Sequence, residues 1–121
     1  MEDERLLFPC SHGADEPERA TIPFIAAATA AVSGHNAAVV CTVDAVWTGT
    51  PGHAETIEAE GLPPLEDLVR QLVTHGGEIW LCSSCTTRRG ITADDLREGA
   101  HIVGAATIVD ALAHGRAITL S

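Results

Sequence analysis

The 121-residue sequence predicts an α/β fold, a three-layer α/β/α arrangement around a mainly parallel five-stranded sheet. Three observations lead there. Apolar runs of strand length alternate with helix-patterned segments, the pattern of a parallel sheet with helical crossovers. The runs are continuous rather than alternating, as in strands covered on both faces. Glycine and proline close or open the segments between them.

Arg5 to Pro9 is a short apolar run, a first strand opening into the polar Pro9-Cys10-Ser11-His12-Gly13. Asp15-Glu16-Pro17-Glu18 gives an acidic helix start with proline near the first turn. The alanine-rich segment after it is the helix, with Pro23 expected in its first turns and Ser33-Gly34 as its stop. Ala37 to Val43 (AAVVCTV) is the second strand, with Cys41 inside it and Asp44 at its end. Ala45 to Pro63, which contains Thr-Gly-Thr-Pro-Gly, is a long loop of the kind that is often functional or interfacial. Leu65, Leu68, Val69 and Leu72 form one stripe of an amphipathic helix from Pro64 to Val73, ended by Gly76-Gly77. Glu78 to Cys82 is the third strand. Thr92 opens a short helix, with Asp95 in the capping-box position. His101-Ile-Val103 is a fourth strand, Ala105 to His114 a helix and Ala117 to Leu120 a fifth strand. No repeat or linker divides the chain, which reads as one domain over residues 1–121.

Composition narrows the function classes. Seven basic against seventeen acidic residues give a net charge of −10, and Lys/Arg cluster only at Arg88-Arg89. That charge disfavours nucleic-acid backbones and anionic membranes, whose binding rests on cationic neutralisation. The acidic Met1-Glu-Asp-Glu-Arg5 is unlike the basic start of a signal peptide, and the apolar run from Phe24 to Val32 is too short to span a bilayer. A cytoplasmic protein with free thiols is expected, so each of the four cysteines needs its own explanation.

In parallel-sheet folds the ligand crevice lies at the carboxyl ends of the strands. There the sequence places Cys10 and His12, then Asp44, then Cys82. The richest stretch is WLCSSCTTRRG, residues 80–90, in which Cys82-Ser-Ser-Cys85 precedes Arg88-Arg89-Gly90. Structural zinc would need a second Cys/His pair at matching spacing, which Cys10-Ser-His12 does not supply. No metal ligand set is assigned. A dithiol redox pair fits the spacing. A single nucleophilic thiol fits as well: at a strand end before a helix, Cys82 meets unpaired N–H groups and the positive charge of Arg88 and Arg89, both of which favour thiolate. Cys85 is then a resolving thiol or a passenger.

Against these stands burial as a small hydrophobe. It is the preferred reading for Cys41, an even one for Cys10 and the disfavoured one for Cys82. His12 is either a proton-transfer group or a turn cap, and Asp44 a ligand-orienting group or a cap. His35, His75 and His114 fall at helix C-termini, where they meet the last carbonyls. Trp47 and His53 line either a pocket or an interface. The loop Ser11 to Glu16 lacks a glycine-rich phosphate cradle, there is no Gly-X-Ser-X-Gly elbow, and no cofactor is implied.

Several short stretches together carry a family resemblance. They are Pro17-Glu18-Arg19-Ala20, Val43-Asp44-Ala45-Val46, Pro63-Pro64-Leu65, Leu81-Cys82 followed by Arg88-Arg89-Gly90-Ile91, and Gly104-Ala105. With them the sequence resembles the DsrE/DsrF-like family of small sulfur-handling proteins over nearly its whole length. The resemblance implies a flavodoxin-like subunit assembled as a homotrimer or homohexamer. It also implies sulfane sulfur received as a persulfide on Cys82, from sulfur donors and toward acceptors that are proteins or small thiols. Cys85 departs from the pattern, standing where a sulfurtransferase subunit of the family has a small apolar residue. The resulting expectation is a sulfur-relay protein in which Cys82 carries sulfur, Arg88 and Arg89 stabilise its thiolate and Cys85 modulates it, with Cys10, His12 and Asp44 as substrate-side candidates. The alternatives are a dithiol oxidoreductase using Cys82 and Cys85, and a non-catalytic oligomeric module binding a ligand or metal at the strand-end rim.

Overall fold

The computed structural model describes residues 4–120, so most of the acidic Met1–Arg5 start lies outside the described residues. The elements run β1 (Arg5–Cys10), α1 (Pro17–Val32), β2 (Asn36–Cys41), 3-10 segments at Val43–Gly49 and Ala54–Thr56, α2 (Leu65–Thr74) and β3 (Glu78–Cys82). They continue through α3 (Ser83–Arg88), a 3-10 turn at Ala93–Asp95, β4 (Ala100–Val103), α4 (Ala105–His114) and β5 (Arg116–Ala117). The five strands lie in the order β4-β3-β2-β1-β5, and every neighbouring pair is parallel.

Handedness explains the layers. Strands β1 to β4 are added in one direction, so right-handed crossovers place α1 and α2 on one face. The chain then crosses back to β5 at the other edge, which puts α4 on the opposite face. Side chains obey the two-residue period of a strand. Phe8, Val39, Ile79 and Leu81 join the main core with Phe24, Leu68, Val69 and Leu72. Leu7, Ala38, Val40 and Trp80 form a smaller cluster against Ile108 and Ala111 of α4. Buried alanines 20, 27, 28, 30 and 31 let α1 lie close to the sheet. A single fully buried side chain such as Phe24 contributes about 1.5–3 kcal/mol.

Several expectations are corrected. β2 stops at Cys41 rather than Val43, because Val43 takes φ 52° and turns the chain away, while the Thr42 N–H donates to the Cys10 carbonyl at 2.9 Å. Asp44 therefore sits in the following 3-10 segment. The long loop after it is two such segments joined by turns. Pro23 lies in the second turn of α1, within the first turns as expected, and its missing N–H leaves the Arg19 carbonyl without its helical donor. The Cys10 Sγ lies 3.9 Å from that oxygen and 3.8 Å from the Ala20 carbonyl. Thr92 opens only one 3-10 turn, yet its cap forms: Asp95 accepts from the Thr92 N–H at 2.7 Å and from its hydroxyl at 3.0 Å. β5 is two residues long, and its pairing ends with the Ile118 N–H donating to the Leu7 carbonyl at 2.8 Å. His75 and His114 donate from Nδ1 to the carbonyls of Gln71 and Asp110, both at 2.9 Å, whereas His35 closes α1 through its backbone N–H to Ala30.

Candidate functional site

The apolar Ile79-Trp80-Leu81 run carries β3 into the core, and the strand ends at Cys82 where α3 begins at once. Cys82 is the N-cap residue of α3 and Cys85 stands three residues on, in the same first turn. The first N–H groups of a helix have no intrahelical acceptor and remain available to a nearby sulfur. Partial burial pushes the Cys82 thiol up. The Cys85 N–H, the Cys85 thiol and the Ser84 N–H act the other way and leave it below the ordinary thiol value. They do so with no formed cap hydrogen bond from the side chain. A part-exposed thiol of this kind supplies a larger share of thiolate, the nucleophilic form.

Cys85 is tied to the segment after β2. The Val43 N–H donates to Cys85 Sγ at 3.1 Å. Arg89 binds the same segment, donating from Nε at 3.1 Å and Nη2 at 2.9 Å to Asp44 Oδ1, and from Nη1 at 3.2 Å to the Cys85 carbonyl. The arginine expected to lend charge to Cys82 is thus engaged as a clamp between α3 and the 3-10 segment. Arg88 is exposed at the end of α3. Neither arginine figures among the groups that shift Cys82, where backbone N–H groups and the second thiol act instead. Buried Thr86 anchors α3 from beneath, its hydroxyl donating to the Ser83 carbonyl at 3.0 Å and its own carbonyl accepting from the Ile91 N–H at 2.9 Å.

The strand-end rim expected from the sequence divides in two. Cys10 and Cys41 pack in the α1/α2 core, opposite to the face on which Trp80, two residues before Cys82, points. β1 is two strands from β3, about 10 Å across the sheet. Burial pushes the Cys10 thiol up to about 11 and the Cys41 thiol well above its ordinary value, so both are neutral packing groups at neutral pH. His12 pairs through Nδ1 with Asp15 Oδ2 at 3.0 Å, and Asp15 also accepts from the Gly13 N–H at 2.7 Å. The His12 hydrogen bond and then the Gly13 N–H hold Asp15 below the usual carboxylate range. Cys10 and His12 share a small cavity of about 140 Å³ with Arg19 and Thr42. Of the candidates, Cys82, Cys85, Asp44 and Arg89 come together; Cys10 and His12 form a separate group, and Arg88 stands outside both.

Two features escaped sequence reading. One is the left-handed backbone at Val43, since a β-branched residue is a poor signal for positive φ. The other is Glu66, which accepts from Arg97 at 2.7 and 2.9 Å and from Arg70 at 2.9 Å, fastening α2 to the chain before β4. The i,i+4 spacing of Glu66 and Arg70 was a usable signal for half of that cluster. Trp47 and His53 approach each other with ring centroids 6.3 Å apart, and burial lowers the His53 pKa while Asp44 opposes it. A β-carbon on Gly13 would come within 2.6 Å of the Asp44 carbonyl, so glycine lets the loop after β1 pack on this segment. Among the described residues, no three His, Cys, Asp or Glu side chains gather as metal ligands. No helix there is long and apolar enough to cross a membrane.

Parallel strands, covering helices and a thiol eased toward thiolate at a strand end define a small cysteine-presenting α/β protein. Residues 4–120 match the DsrE/DsrF-like family, and the chain belongs to it. An uncharacterized protein of Methanocaldococcus jannaschii, MJ0760, is 28% identical over 109 residues, covering 90% of this chain; the chain spans 40% of that relative's length. The crystal structure of the ychN protein from E. coli superposes with a TM-score of 0.77 at 18% identity, covering 97% of this chain and 99% of the other. MTH1491 of Methanobacterium thermoautotrophicum, a protein of unknown function, gives 0.75 at 20% identity, covering 98% and 100%. At these identities the two structures establish a shared fold.

Proposed function

We propose that this protein is a sulfur-relay component that carries sulfane sulfur as a persulfide on Cys82. The observation that supports it most is the contrast among the four cysteines: burial holds Cys10 and Cys41 as thiols, while Cys82 is part-exposed, at the end of β3, and eased toward thiolate. A carrier needs a thiolate to attack the donor's sulfane sulfur and a site that later yields that sulfur to an acceptor thiol. Ser84 and Cys85 supply N–H groups beside the sulfur, and Arg89 holds α3 on Asp44 so that those groups keep their places. Membership of the DsrE/DsrF-like family supports a role of this type.

The relay reading includes assembly of this chain with itself as a trimer or hexamer. It is supported by α4, none of whose residues is buried although Ile108, Val109 and Leu112 lie on it, with Val109 64% and Leu112 42% exposed. Light scattering after gel filtration tests this. A Val109→Glu/Leu112→Glu chain is expected to run as a monomer while the unaltered chain does not; a monomer in both contradicts it.

The persulfide itself is tested by intact mass. Reduced Cys85→Ser and Cys82→Ser proteins are treated with an inorganic polysulfide and freed of it. Cys85→Ser is expected to gain one sulfur atom and Cys82→Ser none. A sulfur gain that persists in Cys82→Ser removes the assignment.

A further inference from the structure

Cys85 has a geometry that a passive neighbour does not need. Its sulfur accepts the Val43 N–H at 3.1 Å, and the residue that supplies this donor stands at φ 52°. A β-branched residue in the left-handed region costs about 1–3 kcal/mol, a strain that persists only when surrounding structure imposes it and that gathers at functional sites. Here the surroundings are explicit. Arg89 fixes Asp44, the next residue, to the backbone of Cys85, so that the donor and its sulfur acceptor are held by one clamp. Cys82 and Cys85, as N-cap and third residue of one turn, have α-carbons roughly 5 Å apart from helix geometry. That separation lies within the range of about 4.4–6.8 Å that a disulfide spans.

Resting on the persulfide reading, we infer that Cys85 is a resolving thiol: it attacks the Cys82 persulfide and expels the carried sulfur as hydrosulfide, leaving a Cys82–Cys85 disulfide. In this step a bond forms between Cys85 Sγ and Cys82 Sγ, and the bond from Cys82 Sγ to the terminal sulfur breaks. The terminal sulfur departs with the electron pair and is reduced by two electrons; the two cysteine sulfurs are oxidised by two. The Cys85 proton leaves with the sulfide or passes to solvent. The Val43 N–H stabilises negative charge on the attacking sulfur, as a fixed donor does at any developing anion. A dithiol, or two equivalents of a small thiol, reduces the disulfide and restores both cysteines. The site then converts sulfane sulfur to sulfide whenever no acceptor takes it first.

Single-turnover loading tests this. Fully reduced wild-type, Cys85→Ser and Cys85→Ala proteins receive one equivalent of inorganic polysulfide, are desalted, and are followed by intact mass and free sulfide. Wild type is expected to end two hydrogens lighter than the reduced chain, as a Cys82–Cys85 disulfide, while both variants retain one added sulfur. After desalting, sulfide should leave the wild type at least roughly tenfold faster than the variants, because an intramolecular thiol acts at a high effective concentration. Variants that load sulfur beside a wild type that keeps the same added sulfur overturn the resolving role and leave the persulfide reading intact. Variants that fold, by circular dichroism, and load no sulfur overturn the persulfide reading and this step with it.

Discussion

Removing Asp44 tests whether Arg89 holds the site together by position. In Asp44→Ala the guanidinium loses two of its three hydrogen bonds and keeps only the one to the Cys85 carbonyl. The Arg89 side chain is 16% exposed and that of Asp44 44%. Breaking a buried pair costs about 3–5 kcal/mol, whereas an exposed pair is worth about 0.2–1 kcal/mol. One nearly buried partner and one half-exposed partner place this pair between, at about 2 kcal/mol for Asp44→Ala. In a cycle with Arg89→Ala the coupling should be about 1–1.5 kcal/mol, since the bond to the Cys85 carbonyl belongs to Arg89 alone. Urea unfolding reads it out. With a slope of about 2 kcal/mol/M the Asp44→Ala midpoint falls by roughly 1 M. A separate variant reports the thiol: Arg88→Ala should leave Cys82 alkylation at neutral pH within about twofold, because local N–H groups rather than arginine charge ease that thiol. An unchanged midpoint with no coupling, or a large slowing of alkylation in Arg88→Ala, would refute the reasoning.

Three other outcomes follow from the geometry. Glu66→Ala strands Arg97 with its side chain only 15% exposed and should cost about 3 kcal/mol by urea unfolding. The Arg97 hydrogen bond holds Glu66 below the usual carboxylate range. Its contribution is therefore complete above the unfolded value of about 4.3 and is lost as pH falls through the lower folded value; stability measured across acid pH should fall less steeply in the variant. The alkylation rate of Cys82 should show its inflection below the ordinary thiol value and move upward in Cys85→Ala, which removes one of the groups that ease it, while Cys10 and Cys41 stay unlabelled until the protein unfolds. Gly49→Ala places a β-carbon 2.5 Å from Leu81 Cδ1 and should cost about 1–3 kcal/mol, read as a fall in Tm.

The layered fold was legible because buried parallel strands leave continuous apolar runs, a mark that Ala37–Val40 and Ile79–Leu81 carry, and because a proline-started, glycine-stopped alanine-rich segment marks α1 as the helix between strands. The ends of strands were less legible. AAVVCTV is apolar through Val43, but the chain leaves the sheet after Cys41 because backbone conformation, not hydrophobicity, turns it there. The WLCSSC stretch identified the candidate thiols and the strand end between core and helix. What it left out depends on contacts between distant residues: the Val43 N–H reaches a sulfur 42 positions away, and Asp44 lies 45 positions from Arg89. Spacing rules see neither. They also placed Cys10 and Cys82 on one rim, although strand parity and the two-strand separation keep those thiols apart.

The most direct measurement is localisation of the added sulfur by fragmentation. Cys85→Ser protein is loaded with polysulfide, alkylated with a tag that retains persulfides, digested at arginine and sequenced by tandem mass spectrometry. If Cys82 is the carrier, the extra sulfur appears on fragments containing Cys82, and peptides bearing Cys10 and Cys41 carry none. Extra sulfur on Cys10 or Cys41, with Cys82 alkylated as a plain thiol, contradicts it.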